Sequence, residues 1–455
     1  MTPARPEPGL RRARQGAGGT TGAAGVARTR RGSVAGLSGA TLLPALLGAL
    51  TGPLAARALA PAGRGQAAAV TAFALFLPVV ASLGVPVAIG QRAATHPVMR
   101  PRLVAAAIRF ALATVPVTLL ASVGIMAGPL RSIGGSARVV AAMTLGTTPL
   151  VVLGLCLQQL LLAEGALGAY ARVRAVPLVV NAALTVALFV AGRLTVATYL
   201  GTTLAANVTA ITVALRFVGA RPGRWEGAHP LRPLVHFGLR GFVGTLASMT
   251  NARLDQMVIV PLLGSRPLGL YAVSVSVASL PQGIGQAITA RSFGEVASSR
   301  DRTAEAARYL RLTTLVVGGA CCTLAAVAPF AIPVVYGEPF RGSVAPLLLL
   351  LPGTVALALV FAMSSTLQVL GRPGLPSWAE LAGVLVTAGG LAALLSPMGI
   401  AGAALVSTAS YGTTLAVNIV FLRRIGVRGL VPRAGDLQWV LSRMARAAGV
   451  RKSVR

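Results

Sequence analysis

Residues 235–263 read VHFGLRGFVGTLASMTNARLDQMVIVPLL, and residues 268–290 read LGLYAVSVSVASLPQGIGQAITA. Each stretch is long enough for a bilayer core about 30 Å thick, which takes about 20 mostly apolar residues per helix. Each also carries polar residues at helical spacing. At about 100° per residue, Arg240, Gly244, Ser248, Asn251 and Asp255 fall within an arc of about 80°. With a rise of about 1.5 Å per residue, Arg240 and Asp255 stand about 22 Å apart, so they cannot pair and instead mark the ends of a stripe. In the second stretch Tyr271, Ala278, Gln282 and Gln286 share a face, and Pro281 interrupts the hydrogen-bond ladder. Taken singly, these are an interfacial tyrosine and helix-packing glutamines. Taken together, two adjoining polar stripes predict a hydrated cavity between membrane helices, because an ionisable group at the bilayer centre costs at least about 2.5 kcal/mol unless it faces a cavity or a partner.

The surrounding composition fits a membrane protein. Of the 455 residues, 55% are hydrophobic and 11% charged, with mean hydropathy +0.76, whereas soluble domains carry about 25% charged residues. The formal net charge of +31 would suit a nucleic-acid partner. The arginines, however, gather in short segments between long apolar runs, the distribution of orientation charges in a multi-pass membrane protein. Nucleic acid is therefore excluded as a partner. Twelve spans are expected, at 36–56, 67–90, 103–127, 139–163, 174–192, 195–219, 235–263, 268–290, 311–335, 344–370, 376–396 and 400–422. Placing the N-terminus in the cytoplasm puts 31 of the 41 basic residues inside, and only Arg57, Arg64, Arg131, Arg138, Arg193, Arg266 and Arg341 outside. Both termini are then cytoplasmic.

The expected organisation is a disordered basic tail (1–35), a six-helix bundle (36–219), a cytoplasmic linker (220–234), a second six-helix bundle (235–422) and a basic tail (423–455). Within the last, Leu437, Val440, Leu441 and Met444 share a helical face that can lie on the inner leaflet. The halves echo each other: Gly165 and Gly168 after the fourth span match Gly371 and Gly374 after the tenth, and Gly65 matches Gly269 at an offset of 204. With six spans per half, both enter from the same side, which gives parallel repeats.

Other ionisable residues in the spans are few. Arg253 lies opposite the Arg240–Asp255 stripe, placed either to meet a partner in its own half or to snorkel to the outer interface. Glu380 can titrate, pair with an arginine or reach cytoplasmic water, and Arg109 is similar. Asp255 is the only acidic residue deep in a span, so the cavity reads as positive or neutral and suited to an anion. Enzyme signatures are missing: there are no paired carboxylates and no glycine-rich phosphate loop. Cys156, Cys321 and Cys322 lie in apolar runs, and His96, His229 and His236 lack ligand spacing, so neither metal nor cofactor is expected.

Several stretches resemble a known family. RALAPAGRGQ at 57–66 resembles the loop after the first helix of polysaccharide-type flippases in the multidrug/oligosaccharidyl-lipid/polysaccharide (MOP) exporter superfamily. Arg253-Leu254-Asp255, Leu263-Gly264 and Leu268-Gly269-Leu270-Tyr271 resemble its seventh and eighth helices. Tyr336-Gly337-Glu338-Pro339-Phe340 is similar to its stretch after the ninth helix, and Leu370-Gly371-Arg372-Pro373 and Gly399-Ile400-Ala401-Gly402 to those around its eleventh. The resemblance covers about residues 36–424. It implies an all-α, MATE-like protein of two six-helix bundles in the cell inner membrane. By alternating access, it would carry a polyprenyl-diphosphate-linked oligosaccharide from inner to outer leaflet. The expected cavity residues are Arg240, Ser248, Asn251, Asp255, Tyr271, Gln282 and Gln286, with Arg109, Arg253 and Glu380 as accessory charges. Expected partners are an anionic lipid-linked glycan, a coupling proton or sodium ion and polysaccharide assembly proteins. Lipid II flippases, with typically fourteen helices and charges in the first, resemble the chain less. Two other readings are an ion-coupled small-molecule exporter of the same superfamily and a membrane glycan polymerase or ligase, against which the short outer connections argue.

Overall fold

In lipid a chain must satisfy its own backbone hydrogen bonds, which leaves helices or closed barrels, and the apolar runs here lack the two-residue alternation of a barrel. The computed structural model describes residues 21–219, 231–372, 374–427 and 429. These form α1 (Thr21–Ser82), α2 (Val85–Thr95), α3 (Arg100–Ala127), α4 (Gly135–Gly146), α5 (Thr148–Ala163), α6 (Leu167–Val190), α7 (Val196–Val218), α8 (Arg232–Leu263), α9 (Ser265–Ser298), α10 (Arg302–Tyr336), α11 (Val344–Val369) and α12 (Leu375–Arg424). No strand occurs among the described residues. Nine helical segments among them are long and apolar enough to cross a membrane, α4 and α5 counting as one from Gly135 to Ala163. The polar stripe leaves α8 outside that set.

Several boundaries differ from expectation. Residues 21–35, expected as disordered tail, are helical and open α1. The loop expected at 57–66 is a break at one residue, Ala60, at φ 54° and ψ 173°. Pro61 accounts for the extended ψ, since the residue before a proline is pushed out of the α region while the proline itself suits the first turn of a new helix; the positive φ is strain that the hairpin imposes on Ala60. The second arm folds back along the first, so that Ala67 packs in one cluster with Ala55 and Leu59. In α12 the break is Gly399, at φ 57° and ψ −138°, a left-handed conformation that glycine adopts without strain. Residues 1–20, most of the expected linker (220–230) and the amphipathic segment near Leu437 lie outside the described residues.

Contacts sort the helix ends into two groups. At one end Gly65 meets Ser265, Gly63 meets Val196, Gly52 meets the Tyr336 hydroxyl, and Arg57 donates to the Val334 carbonyl. At the other, Arg100 pairs with Glu164 at 2.7 Å and donates to the Val218 carbonyl, and Gly84 lies against Gly238. We call these the Gly65 end and the Arg100 end. The first half (α1–α7) and the second (α8–α12) meet chiefly through α1 and α9, with α8 also against α1 and α2. A hydrophobic cluster runs through both halves, from Val70 and Leu145 to Tyr271, Leu347 and Leu395. The repeat-related Gly65 and Gly269 face each other across the junction. A Cβ on Gly65 would stand 1.7 Å from the Ser265 carbonyl oxygen, and one on Gly269 would stand 1.8 Å from that of Pro61. Bare backbones are what let the halves touch here.

Candidate functional site

The α8 helix packs on α12 within its own half and on α1 and α2 of the first half. Its two polar faces therefore look into two different cavities. The first, the second-half cavity, has a volume of about 240 Å³ and is lined by Ser248, Asn251, Arg253 and Asp255 from α8, Tyr271, Ser279 and Gln282 from α9, Thr354 and Phe361 from α11, and Glu380, Ser407 and Tyr411 from α12. Part of each stripe read from the sequence, Ser248, Asn251 and Asp255 from one and Tyr271, Ala278 and Gln282 from the other, lines this one space.

Inside it the polar groups are closely bonded. Asp255, 3% exposed, accepts from the Gln256 backbone N–H at 2.7 Å, from the Tyr271 hydroxyl at 2.5 Å and from the Ser407 hydroxyl at 3.3 Å. Asn251, equally buried, accepts through Oδ1 from Thr387 at 2.6 Å and Ser410 at 2.7 Å, and hydrogen-bonds Glu380. These bonds tie α8 to both arms of α12, at about 0.6 kcal/mol each within a membrane.

Three expected cavity or accessory residues stand elsewhere. Arg240 is exposed toward the Arg100 end, its Nη2 3.5 Å from Nε2 of His236, one turn away. Gln286 is exposed on α9, beyond the cavity, and Arg109 is exposed on α3. The stripe on α8 is continuous by angle, but at Arg240 that face is exposed and lines neither cavity, although Gly238 and Leu234 beyond it are buried, so angular position alone overstates what converges.

The second cavity lies between the halves. It is about 130 Å³, room for about four water molecules, and is lined by Arg64, Ala68 and Thr71 of α1, Tyr199 of α7, Arg253 and Gln256 of α8, and Ala272, Val275 and Ser276 of α9. Arg64 donates from Nη1 to the Tyr199 hydroxyl at 3.2 Å, with its guanidinium carbon 5.7 Å from the ring centroid, within cation–π range. The Nε atoms of Arg64 and Arg253 are buried without a hydrogen-bond partner among the described residues. No carboxylate lines this cavity. Arg253 thus turns inward rather than snorkelling, and it feels the charge of Asp255 in its own half without a hydrogen bond to it. Sequence reasoning counted Arg64 as an orientation charge and gave Ser407, Tyr411, Thr354 and Tyr199 no role, since isolated hydroxyls in apolar helices carry little signal.

Fold and cavities together define a multi-pass helical membrane protein with two polar cavities enclosed among its helices. Among solved structures, the chain is similar to an inward-facing multidrug resistance MATE family transporter of the MOP superfamily (TM-score 0.68, 14% identity, 86% of this chain and 97% of that one). It is equally similar to the lipid II flippase MurJ in an inward closed conformation (TM-score 0.69, 12% identity, 84% and 86%). At the level of fold, then, lipid II flippases stand no further away than MATE transporters. No curated protein matches by sequence. Residues 54–345 match the family described as polysaccharide biosynthesis protein, and the chain belongs to that family.

Proposed function

We propose that this protein is a flippase moving a polyprenyl-diphosphate-linked oligosaccharide from the inner to the outer leaflet of the cell inner membrane during surface polysaccharide synthesis. The observation that carries this reading is the cavity between the halves, lined by two arginines and no carboxylate, with both arginine Nε atoms buried and unbonded among the described residues. Arginine is always charged and suits phosphate geometry, so such a pair calls for an anion in a site that low dielectric makes strong. Only the glycan and diphosphate need a polar path; the prenyl chain stays in lipid. In this reading the Arg100 end faces the cytoplasm, twelve spans form the halves 36–219 and 235–422, and the halves rock about the Gly65–Gly269 and Gly84–Gly238 contacts. Arg240, with Arg232 and His236, receives the head group on the cytoplasmic side. Asp255 and Glu380 take up a coupling proton or sodium ion. Membership of a polysaccharide biosynthesis family supports the class of cargo.

The test is a strain lacking the gene, in which one surface polymer should vanish while its diphosphate-linked unit accumulates in membrane extracts. A charge-assisted hydrogen bond is worth about 1.5–3 kcal/mol. Arg64→Gln should therefore restore transport at about a tenth to a hundredth of the normal rate at equal protein level, whereas Arg109→Gln should restore it fully. Normal flux with Arg64→Gln would remove the inter-half cavity from the mechanism. A second reading, a cation-coupled small-molecule exporter, is favoured by the two acids of the second-half cavity. Unchanged glycans with altered drug tolerance in the same strain would establish it instead.

A further inference from the structure

The second-half and inter-half cavities share a wall, and only Arg253 and Val275 line both. On one side of Arg253 stand Asp255 of its own helix, Tyr271 of α9 and Glu380 and Tyr411 of α12. On the other stand Arg64 of α1 and Tyr199 of α7. The nearest acid does not hold it. Both Asp255 oxygens are occupied by Gln256, Tyr271 and Ser407, and the Nε of Arg253 is buried without a hydrogen-bond partner among the described residues, so Asp255 acts on Arg253 through its charge rather than through a bond. A guanidinium keeps its proton under all ordinary conditions. Its place is therefore set by the balance of charge between two acids on one side and a second arginine on the other.

That balance changes when the acid side is neutralised. With Asp255 and Glu380 ionised, their field draws Arg253 toward the second-half cavity and offsets part of its positive charge as felt between the halves. With a proton or monovalent cation beside them, that pull is gone and only an anion can compensate Arg253 and Arg64. We infer that Arg253 couples the two cavities, so that neutralising the Asp255–Glu380 side strengthens binding of a diphosphate-type anion between the halves. The inference rests on reading the inter-half cavity as an anion site. Linkage makes the effect reciprocal: a bound anion tightens uptake of the cation by the same factor, which ties the two in one transport cycle. Arg253 acts through the charges on either side of it, as a positioning residue.

The experiment uses the full-length protein in lipid nanodiscs, with inorganic diphosphate as probe and calorimetric affinities at fixed pH and ionic strength. Glu380→Gln should tighten diphosphate binding about tenfold, within the usual range of coupling between sites. In an Arg253→Gln background the same change should leave affinity unaltered, and in Arg253→Lys, which keeps the charge, most of the gain should return. Should Arg253→Gln not be recovered as a monodisperse protein, Arg253→Met, of similar length and uncharged, takes its place. A full gain without the arginine would mean that Glu380 acts on the anion directly, and no gain with it would mean that the cavities are uncoupled; either overturns the inference and leaves the anion site standing. Failure of the unaltered protein to bind diphosphate overturns the anion site itself, and the coupling with it.

Discussion

Asp301 begins α10 in the connection from α9, outside the apolar spans, and its carboxylate accepts from the backbone N–H groups of Thr303 at 3.1 Å and Ala304 at 3.0 Å and from the Thr303 hydroxyl at 2.7 Å. These bonds, the Ala304 amide first and the Thr303 hydroxyl next, hold its pKa below the ordinary 3.8. A carboxyl whose folded pKa is lowered contributes stability that is complete above the unfolded value and fades as pH falls through the folded one. Acidification below about pH 4 should therefore loosen the first turn of α10. Asp301→Asn, which caps without ionising, should not show this. Amide exchange at Thr303 and Ala304 as a function of pH distinguishes them, and equal pH dependence in the two proteins would show that the cap is not electrostatic. In the membrane interior, Asn251 is the comparable residue: its side chain closes bonds to Thr387 and Ser410 that no charge is needed to explain.

Among the elements, α1 and α9 depend most on what they lack. They cross where Gly65 and Gly269 bring backbones together, and even one methyl on Gly65 would overlap the Ser265 carbonyl. Gly48 lies in the same helix α1, and a Cβ there would meet nothing within 4 Å. Gly65→Ala should lower the thermal midpoint of the purified protein by several degrees, because overpacking costs about 1–3 kcal/mol. Gly48→Ala should leave it unchanged or raise it slightly, since alanine is the better helix former. Equal midpoints for the two variants would mean that the halves do not meet at Gly65. The breaks at Ala60 and Gly399 follow the same economy. Each reverses the chain within one or two residues, which is why two helices longer than any single span hold two arms each.

For the whole molecule, the arginine distribution makes a claim about sidedness that labelling can check. In a background with Cys156, Cys321 and Cys322 replaced by alanine, Arg341→Cys stands at the Gly65 end and Ala94→Cys at the Arg100 end, both at exposed positions. A membrane-impermeant maleimide applied from outside should label Arg341→Cys at once and Ala94→Cys only after permeabilisation. The reverse would invert the proposed orientation. In the proposed orientation the arginines of the inter-half cavity stand toward the outer side, Arg64 being next to Gly65.

Much of this could be read from the chain alone. Apolar runs of span length, with arginines between them, determine a multi-pass helical protein whatever its neighbours, because the bilayer rather than the tertiary structure acts as the solvent. Helical spacing likewise determined that Ser248, Asn251 and Asp255 share a face with each other and that Tyr271 and Gln282 share another, since the period of a helix is local. Which faces converge was decided only by packing. Arg240 and Gln286 keep the right angles but are exposed and line neither cavity. Arg64, which by charge counting is one of seven outer residues, turns inward beside Tyr199, more than a hundred residues further along. Arg253 has two cavities to face because α8 is wedged between α12 and the first half. A residue's position on its own helix follows from the backbone period, but what it faces depends on contacts between segments remote in sequence, and one chain's residue order does not record those.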